Sequence, residues 1–407
     1  MVEGFGDALR VMREAAGLSL AALAERAAVS KSHLGNLETG DRQPTAEVAE
    51  AVDRALRAGG VLVELAAHER GGGDDMRRRA LLHTVAAAGS LGLIDGPHAL
   101  ADMVRHNLLT VAGVNEDWDG VVEDCTNRLV TDPSPLLGTA LLTGLSVLRQ
   151  EIDTATARNR PDLLRAAAGL GQIYGLWLGN VSQVGGANQW YRSAGILADQ
   201  SGDTSMRVWV RGRAASRGVY ESWTINRTLG VVEEALSITD RPTAGMVEAH
   251  AARASVAAIV GDPANGRAAI RAMADAAERL PAAELHTLAD PIARTLFMSA
   301  FLEARVGSLT EAEAACELAE DALTRMPTWL AETRVYRARA RVAAGDTTEG
   351  LDYALRAVQG VRHDVRVIAV AVRDVLAALP HGYRGDDADA LRPYADPNPG
   401  PWETLRV

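Results

Sequence analysis

The chain has 407 residues, of which 47% are hydrophobic, 23% charged and only 4% aromatic. The apolar content excludes a disordered chain, and no apolar run reaches the length of about 20 residues that a membrane span needs. The net charge of −11 argues against nucleic-acid binding over the whole surface, but it allows a small DNA-binding domain on an acidic body.

Cysteine, histidine and lysine usage narrows the chemistry further. Cys125 and Cys316 are too few for a disulfide framework, so we expect two core residues in a reducing cytoplasm. The nine histidines form no cluster with metal-ligand spacing, so the sequence predicts neither a metal site nor another cofactor. Lysine occurs once, at Lys31, and every other basic residue is arginine.

Four short helices are predicted within the first 65 residues. Ser19 and Ser30 are suitable N-caps for the second and third helices, Gly40 is a suitable end for the third, and Pro44 with Thr45 begins the fourth. The apolar residues at helical spacing are Ala8, Leu9, Met12, Leu20, Leu23, Leu34, Leu37, Val48, Val52 and Leu56. Short helices joined by three or four residues are typical of a helix-turn-helix.

The segment from Leu18 to Pro44, LSLAALAERAAVSKSHLGNLETGDRQP, resembles the helix-turn-helix of the Cro and phage-repressor type, the XRE family. In that family the third helix enters the major groove of DNA. The resemblance implies that Lys31, Ser32 and Asn36 contact base edges, that His33 lies near the groove wall, and that Arg42 reaches a phosphate. Lysine suits guanine and asparagine suits adenine in the major groove.

Two residues depart from the family pattern. Leu20 stands where the family usually has a glutamine at the start of the second helix, and Ala28 stands where the turn usually carries glycine. Residues 1–70 also hold eight basic and eleven acidic residues, a net charge of −3. We therefore expect few anchoring contacts and weak DNA binding by a monomer. The alternative is a vestigial domain that contacts protein.

The region after this domain, 1–70, begins with a predicted linker at 71–75. Residues 76–82 and the apolar stretch after them resemble a twin-arginine export signal, but they follow a folded module, so we do not expect export. Instead we expect bridging helices over 76–160. A secondary hypothesis places Arg77, Arg78 and Arg79 against phosphates beside bound DNA.

Residues 161–395 are predicted to be helical throughout, with a C-terminal tail at 396–407. Ala-rich stretches of helical period are interrupted at Gly179-Asn180, at 222–226, and at Gly261-Asp262, Gly307-Ser308 and Gly345-Asp346. The spacing of these breaks is irregular, and the region resembles a degenerate tetratricopeptide array of five or six helix pairs. The segment from Gly345 to Ala357 is the best single match.

One predicted helix, from about Ser205 to Tyr220, has two notable faces. The small and β-branched face would let a partner helix approach closely; it consists of Val208, Gly212, Ala215 and Val219. The adjacent face belongs to a cluster of aromatic and arginine residues, from Tyr174 to Trp223, that suits a ligand groove. The candidate ligand-binding residues are Trp177, Trp190, Trp209, Arg213 and Tyr220. The alternative is that these aromatics are core residues of two repeats.

Together these patterns predict an all-α protein, an N-terminal helix-turn-helix bundle joined to an α-solenoid of tetratricopeptide-like helix pairs. The combination resembles repressor-plus-repeat regulators of Gram-positive bacteria, including peptide-pheromone sensors. The resemblance implies a cytoplasmic homodimer on a double-stranded DNA operator, controlled by a peptide or small-molecule effector. No catalytic motif is present, so we do not expect an enzyme. The alternative function is a scaffold whose repeat groove binds a protein and whose N-terminal module is a docking domain.

Overall fold

The computed structural model describes residues 5–15, 18–56, 62, 63, 66, 117–131, 135–281, 290–359 and 365–395. The predicted linker, Arg77 to Arg79, most of the bridging region and the C-terminal tail lie outside these residues. The described part of the chain contains helices and no strand, which confirms the predicted all-α class. None of its helices is long and apolar enough to cross a membrane.

The chain divides into two compact units. The first comprises residues 1–117 and 134–151, and the second comprises residues 118–133 and 152–407. The helices of the first unit are α1 (Phe5–Ala15), α2 (Leu20–Ala27), α3 (Lys31–Glu38), α4 (Ala46–Leu56) and most of α6 (Pro135–Thr154). Its N-terminal core is built on buried leucine side chains of α1 to α3, as the helical spacing predicted, namely Leu9, Leu23, Leu34 and Leu37.

Polar side chains fix the ends of these short helices. The Ser19 hydroxyl accepts a hydrogen bond from the backbone N–H of Ala22 at 3.1 Å, and Ser30 accepts one from His33 at 3.2 Å. Gly40 follows α3 with φ +78°, a left-handed conformation that glycine adopts without strain. The predicted caps of α2 and α3 are therefore confirmed.

The second unit is a succession of helices in which neighbours along the chain pack on each other. These are α5 (Trp118–Thr131), α7 (Arg160–Asn180), α8 (Val184–Ser201), α9 (Thr204–Gly218), α10 (Ile225–Leu236), α11 (Ala244–Val260), α12 (Pro263–Glu278), α13 (Pro291–Val306), α14 (Leu309–Ala322), α15 (Pro327–Ala343), α16 (Thr347–Gln359), α17 (Arg366–Ala377) and α18 (Asp386–Leu391). From α7 onward the described helices form the pairs α7–α8, α9–α10, α11–α12, α13–α14 and α15–α16, and the short helix α18 packs on α16.

Three predicted breaks fall between helices, namely Gly261-Asp262, Gly307-Ser308 and Gly345-Asp346. Gly179-Asn180 instead forms the end of α7, and the break predicted at 222–226 overlaps the first residues of α10. Gly261 ends α11 with φ +75°, and Asp262 then accepts the N–H of Asn265 at the start of α12. Ser308 opens α14 with a capping box in which its side chain and that of Glu311 each bond the other's backbone N–H. At both of these positions, a residue that caps the next helix comes directly after the end of the previous one.

Two glycines let α9 and α11 cross at very short range. A Cβ on Gly212 would overlap the carbonyl oxygen of Gly245, and a Cβ on Gly245 would overlap the backbone of Trp209. Val208 and Ala215 of α9 are buried in the same cluster as Ala249 of α11. The predicted close approach of a partner helix to this face of α9 is confirmed. The crossing also fixes where the next residues of α9, including Arg213, are placed.

Both cysteines are buried, as predicted. Cys125 lies on α5 and Cys316 lies on α14. Burial raises the pKa of the Cys316 thiol to about 12, which leaves it protonated at neutral pH. A protonated, enclosed thiol is a weak nucleophile, so Cys316 acts as a small packing residue.

Candidate functional site

The outer face of α3 carries the polar side chains that the sequence singled out. Leu34 and Leu37 point into the core of the first unit, and this orientation leaves Lys31, Ser32 and Asn36 exposed. His33 is partly buried. The first turn of the helix and the Asn36 side chain one turn later therefore share an accessible surface.

The opposite side of α3 is held against α1 by backbone packing and an ion pair. A Cβ on Gly6 would overlap the carbonyl oxygen of Leu37, so α1 can approach α3 only because residue 6 is glycine. Arg13 donates to both carboxylate oxygens of Glu38, at 2.6 and 2.9 Å, and to the carbonyl of Leu18 at 2.9 Å. The hydrogen bonds that Arg13 donates to Glu38 raise the pKa of Arg13. These bonds connect α1, α3 and the turn before α2.

The turns on either side of α3 set its orientation. Ala28, between α2 and α3, has φ 53° and ψ 37°, the left-handed region that a glycine would adopt without strain. After α3, the backbone N–H of Arg42 donates to the carbonyl of Asn36 at 3.0 Å, and the Arg42 side chain is exposed. The five residues predicted to contact DNA thus lie on α3 or immediately after it.

Leu20, where the resembling family usually has glutamine, is partly buried and packs against the N-terminal core. Its Cδ2 atom lies 3.6 Å from the position that a Cβ on Gly35 would take. Leu20 therefore makes an apolar contact with α3 near Gly35 and offers no polar group to a ligand.

This geometry can present both donors and acceptors to a groove. The Lys31 ammonium is a point donor, and the Asn36 amide both donates and accepts, which suits the edge of adenine. Arg42 offers a planar guanidinium suited to a phosphate. A family model of a helix-turn-helix domain matches residues 5–66.

The N-terminal region is a helix-turn-helix domain. Domains of this type bind DNA, so the match supports a DNA-binding regulator. The match covers 62 of the 407 residues and does not extend to the second unit. No curated protein and no solved structure matches the chain.

The second unit contains a cavity of about 50 Å³ between its helices. A space of this size holds a few water molecules. Seven helices contribute to its walls, namely α5, α7, α9, α11, α13, α15 and α17. The lining residues are Leu129, Val130, Leu176, Asn180, Arg213, Ser216, Arg217, Tyr220, Ser255, Arg294, Phe297, Met298, Thr328, Trp329, Glu332 and Val367.

The first charged group of this cavity is centred on Glu248 of α11. Arg213 of α9 donates to Glu248 Oε2 at 3.0 Å, and Arg294 of α13 donates to Oε1 at 3.1 Å and to Oε2 at 3.0 Å. Arg294 also donates to the Ser216 hydroxyl at 2.7 Å. Burial alone would raise the pKa of Glu248, but the two guanidinium groups outweigh it and lower the pKa to about 2.

The second charged group contains Glu332 of α15 and two tyrosines. The hydroxyl of Tyr220 donates to Glu332 Oε1 at 3.0 Å and lies 3.0 Å from the hydroxyl of Tyr336, which also bonds to that carboxylate. Burial raises the pKa of Glu332. Nearby, Arg217 bonds to Glu221, which accepts a further hydrogen bond from Tyr191. Carboxylates here are therefore held by hydroxyl groups as well as by arginine.

The structure brings together only two of the five predicted ligand-binding residues. Arg213 and Tyr220 line the cavity. Trp177 and Trp190 instead flank Tyr174, with ring centroids 5.7 and 5.0 Å from it, and they form part of the contact between α7 and α8. Trp209 is 6% exposed and is not among the lining residues.

Three arginines at helical spacing on α15 form ion pairs with glutamates of the preceding helix. Arg334 bonds to Glu320, Arg337 bonds to both Glu313 and Glu320, and Arg341 bonds to Glu313. These glutamates belong to α14. The carboxylates of α14 therefore balance the charge of these three arginines.

The sequence did not single out four residues that line the cavity or bond to its arginines, namely Glu248, Arg294, Trp329 and Glu332. They belong to three helices, α11, α13 and α15, so no single local motif connects them. One signal was available. Glu248 and Arg294 are single charges within the buried faces of Ala-rich and apolar helices, where a charge needs a partner of opposite sign.

Proposed function

We propose that this protein is a transcriptional regulator of the XRE type that binds a two-fold DNA operator as a homodimer in the cytoplasm. Its second unit is a tetratricopeptide-like repeat domain that responds to a small-molecule effector, as in the repressor-plus-repeat regulators that the sequence resembles. The observation that carries the proposal is the helix-turn-helix match together with the exposed polar face of α3.

The proposed DNA contacts follow from the chemistry of that face. Lys31 donates to guanine, Asn36 makes a paired contact with adenine, and Ser32 is small enough to permit close approach of the helix. Arg42 binds a backbone phosphate and sets the register of the domain on the duplex. His33, being partly buried, contributes at the wall of the groove rather than at a base edge.

Dimerisation has a physical motive. One recognition helix contacts only a few base pairs, and a second half-site roughly doubles the specific free energy of binding. The net charge of −3 over residues 1–70 weakens the electrostatic attraction of a single domain for DNA.

We propose that the helical body holds the dimer, and sedimentation of a fragment beginning at Met76 tests this. A monomeric fragment beside a dimeric full-length chain would place the interface in the N-terminal domain.

Effector control requires a site that two arrangements of the protein bind unequally. The cavity of the second unit supports such a site because it combines charged, hydroxyl and aromatic groups contributed by helices far apart in the sequence. A ligand that contacts several helices at once can favour one arrangement of those helices over another.

Footprinting of the full-length protein on genomic DNA fragments tests the proposed function. The expected result is a protected palindrome whose half-sites are about one helical turn apart. Binding that shows no preference among fragments would refute a sequence-specific regulator. In that case the alternative, a protein-interaction scaffold with a docking domain, would account for the same domain organisation.

A further inference from the structure

The Glu248 group holds two arginines on one carboxylate. Arg213 and Arg294 are both almost fully buried, at 6% and 5% exposure, and both bond to Glu248. Arginine keeps its charge even in such surroundings. The bonded group therefore carries two positive charges and one negative charge.

Among the described residues, the neighbouring carboxylates Glu221 and Glu332 bond to other groups. Glu221 is taken by Arg217, and Glu332 is held by the hydroxyls of Tyr220 and Tyr336. Burial raises the pKa of Glu332 and so favours its neutral form. Burial also lowers the pKa of Arg213, and the charges of Arg294 and Arg217 add to that effect.

Two guanidinium nitrogens at the cavity have unused hydrogen-bonding capacity. Arg213 Nε and Arg217 Nη2 are buried, and neither bonds to any described residue. Both residues line the cavity. A buried N–H without an acceptor is costly, and a bound acceptor would remove that cost.

Two aromatic side chains, Phe297 and Trp329, form part of the apolar cavity wall. The guanidinium of Arg294 lies 5.2 Å and that of Arg213 lies 5.9 Å from the centre of the Trp329 ring. Phe297 is stacked obliquely on Trp329, with ring centroids 4.9 Å apart. An organic ligand can thus place a charged group at the arginines and a flat apolar group beside these rings.

We propose that this cavity binds a small organic monocarboxylate with a planar apolar body, its carboxylate held by the arginines of α9 and its ring placed beside Trp329 and Phe297. The proposal rests on the proposed function, because it names the effector class of that same cavity. The volume of about 50 Å³ corresponds to three to five waters, or roughly 90–150 Å³ of ligand. Benzoate is of this size.

Benzoate, benzamide and benzamidine provide the test, because they have nearly the same shape and carry charges of −1, 0 and +1. Calorimetry with the full-length protein, without DNA, measures each affinity at concentrations up to about 20 mM, a range suited to ligands of so few atoms. We expect benzoate to bind about tenfold or more tightly than benzamide, and benzamidine not to bind. Equal binding of benzoate and benzamide, preference for benzamidine, or no binding of benzoate would each overturn the proposal.

Arg213→Gln separates a specific site from general electrostatic attraction. This variant leaves Glu248 paired one-to-one with Arg294, so we expect a folded protein that binds benzoate about tenfold or more weakly. Arg337→Gln removes the same charge from the α14–α15 surface network and should bind benzoate as the unaltered protein does. Equal losses in both variants would show that net charge alone governs binding, which would overturn the proposal.

The outcomes for the effector and for DNA are distinguishable. Benzoate binding is measured without DNA, and footprinting is performed without benzoate. Benzoate binding without a protected operator would support the carboxylate site and refute the regulator function. A protected operator without benzoate binding would support the regulator function and refute this ligand class.

Discussion

Replacing Ala28 with glycine should stabilise the helix-turn-helix domain by about 1 kcal/mol. Ala28 has φ 53° and ψ 37°, and this left-handed conformation costs an L-residue about 1–2 kcal/mol, whereas glycine adopts it freely. The Ala28 side chain is exposed, so removing its Cβ forfeits no buried apolar area. The opposing effect is the greater backbone entropy of glycine in the unfolded chain, about 0.5–1 kcal/mol.

Amide hydrogen exchange of the full-length protein measures this change within the first unit. The amides of Leu23 and Leu34 belong to core residues of that unit, and a gain of about 1 kcal/mol should slow their exchange about fivefold. Ser182→Gly is a matched control, because Ser182 is exposed and has φ 63° but lies in the second unit. It should leave both amides unchanged. Faster exchange of Leu34 in Ala28→Gly would refute the argument that this turn is strained.

Three further measurements test the remaining assignments. Asn36→Ala should cost about 1–3 kcal/mol of specific DNA-binding free energy and relax the preference at one base pair. Arg42→Ala should instead weaken binding to all sequences alike and reduce the salt dependence of binding. If both variants changed binding equally at a specific and a scrambled site, the assignment of Asn36 to a base would be contradicted. Trp209→Ala should lower the free energy of unfolding by about 3–5 kcal/mol in thermal or chemical denaturation, because the side chain is buried; an unchanged melting temperature would contradict a core role. The pKa of Glu248 is lowered from 4.5 to about 2, so its ionisation contributes about 3 kcal/mol to the free energy of unfolding above pH 4.5, and this contribution is lost as the pH falls towards 2. Glu248→Gln should therefore reduce the loss of stability at acid pH. An identical loss in both proteins would exclude this ion pair as its cause.

The helix-turn-helix could be predicted from the sequence because its determinants are local. Ser19 and Ser30 act on backbone N–H groups three residues away, and Gly40 acts on its own φ. The close approach at Gly212 was predictable for a related reason, since a face of small residues on one helix already limits what can pack there. In each case the relevant residues lie within one helix or one turn.

The cavity was not predictable in this way. Its charge arrangement depends on Arg213, Glu248 and Arg294, which lie on three helices, and on their distances after the whole unit has folded. The nearness in sequence of Trp177 and Trp190 indicated a common groove, but their rings pack on Tyr174 between α7 and α8. Aromatic residues that are close in the chain thus contact one another, while the cavity is built from residues that are distant.

The exposed Lys31 at the first position of α3 makes this protein suitable for site-selective chemistry. It is the only lysine in the sequence, so an amine-reactive dye or a cross-linker has a single side-chain target, besides the α-amino group at the chain terminus. A fluorophore attached at Lys31 would report directly on the surface proposed to enter the groove. In the unlabelled protein, a loss of Lys31 reactivity on addition of DNA would locate the contact without any mutation.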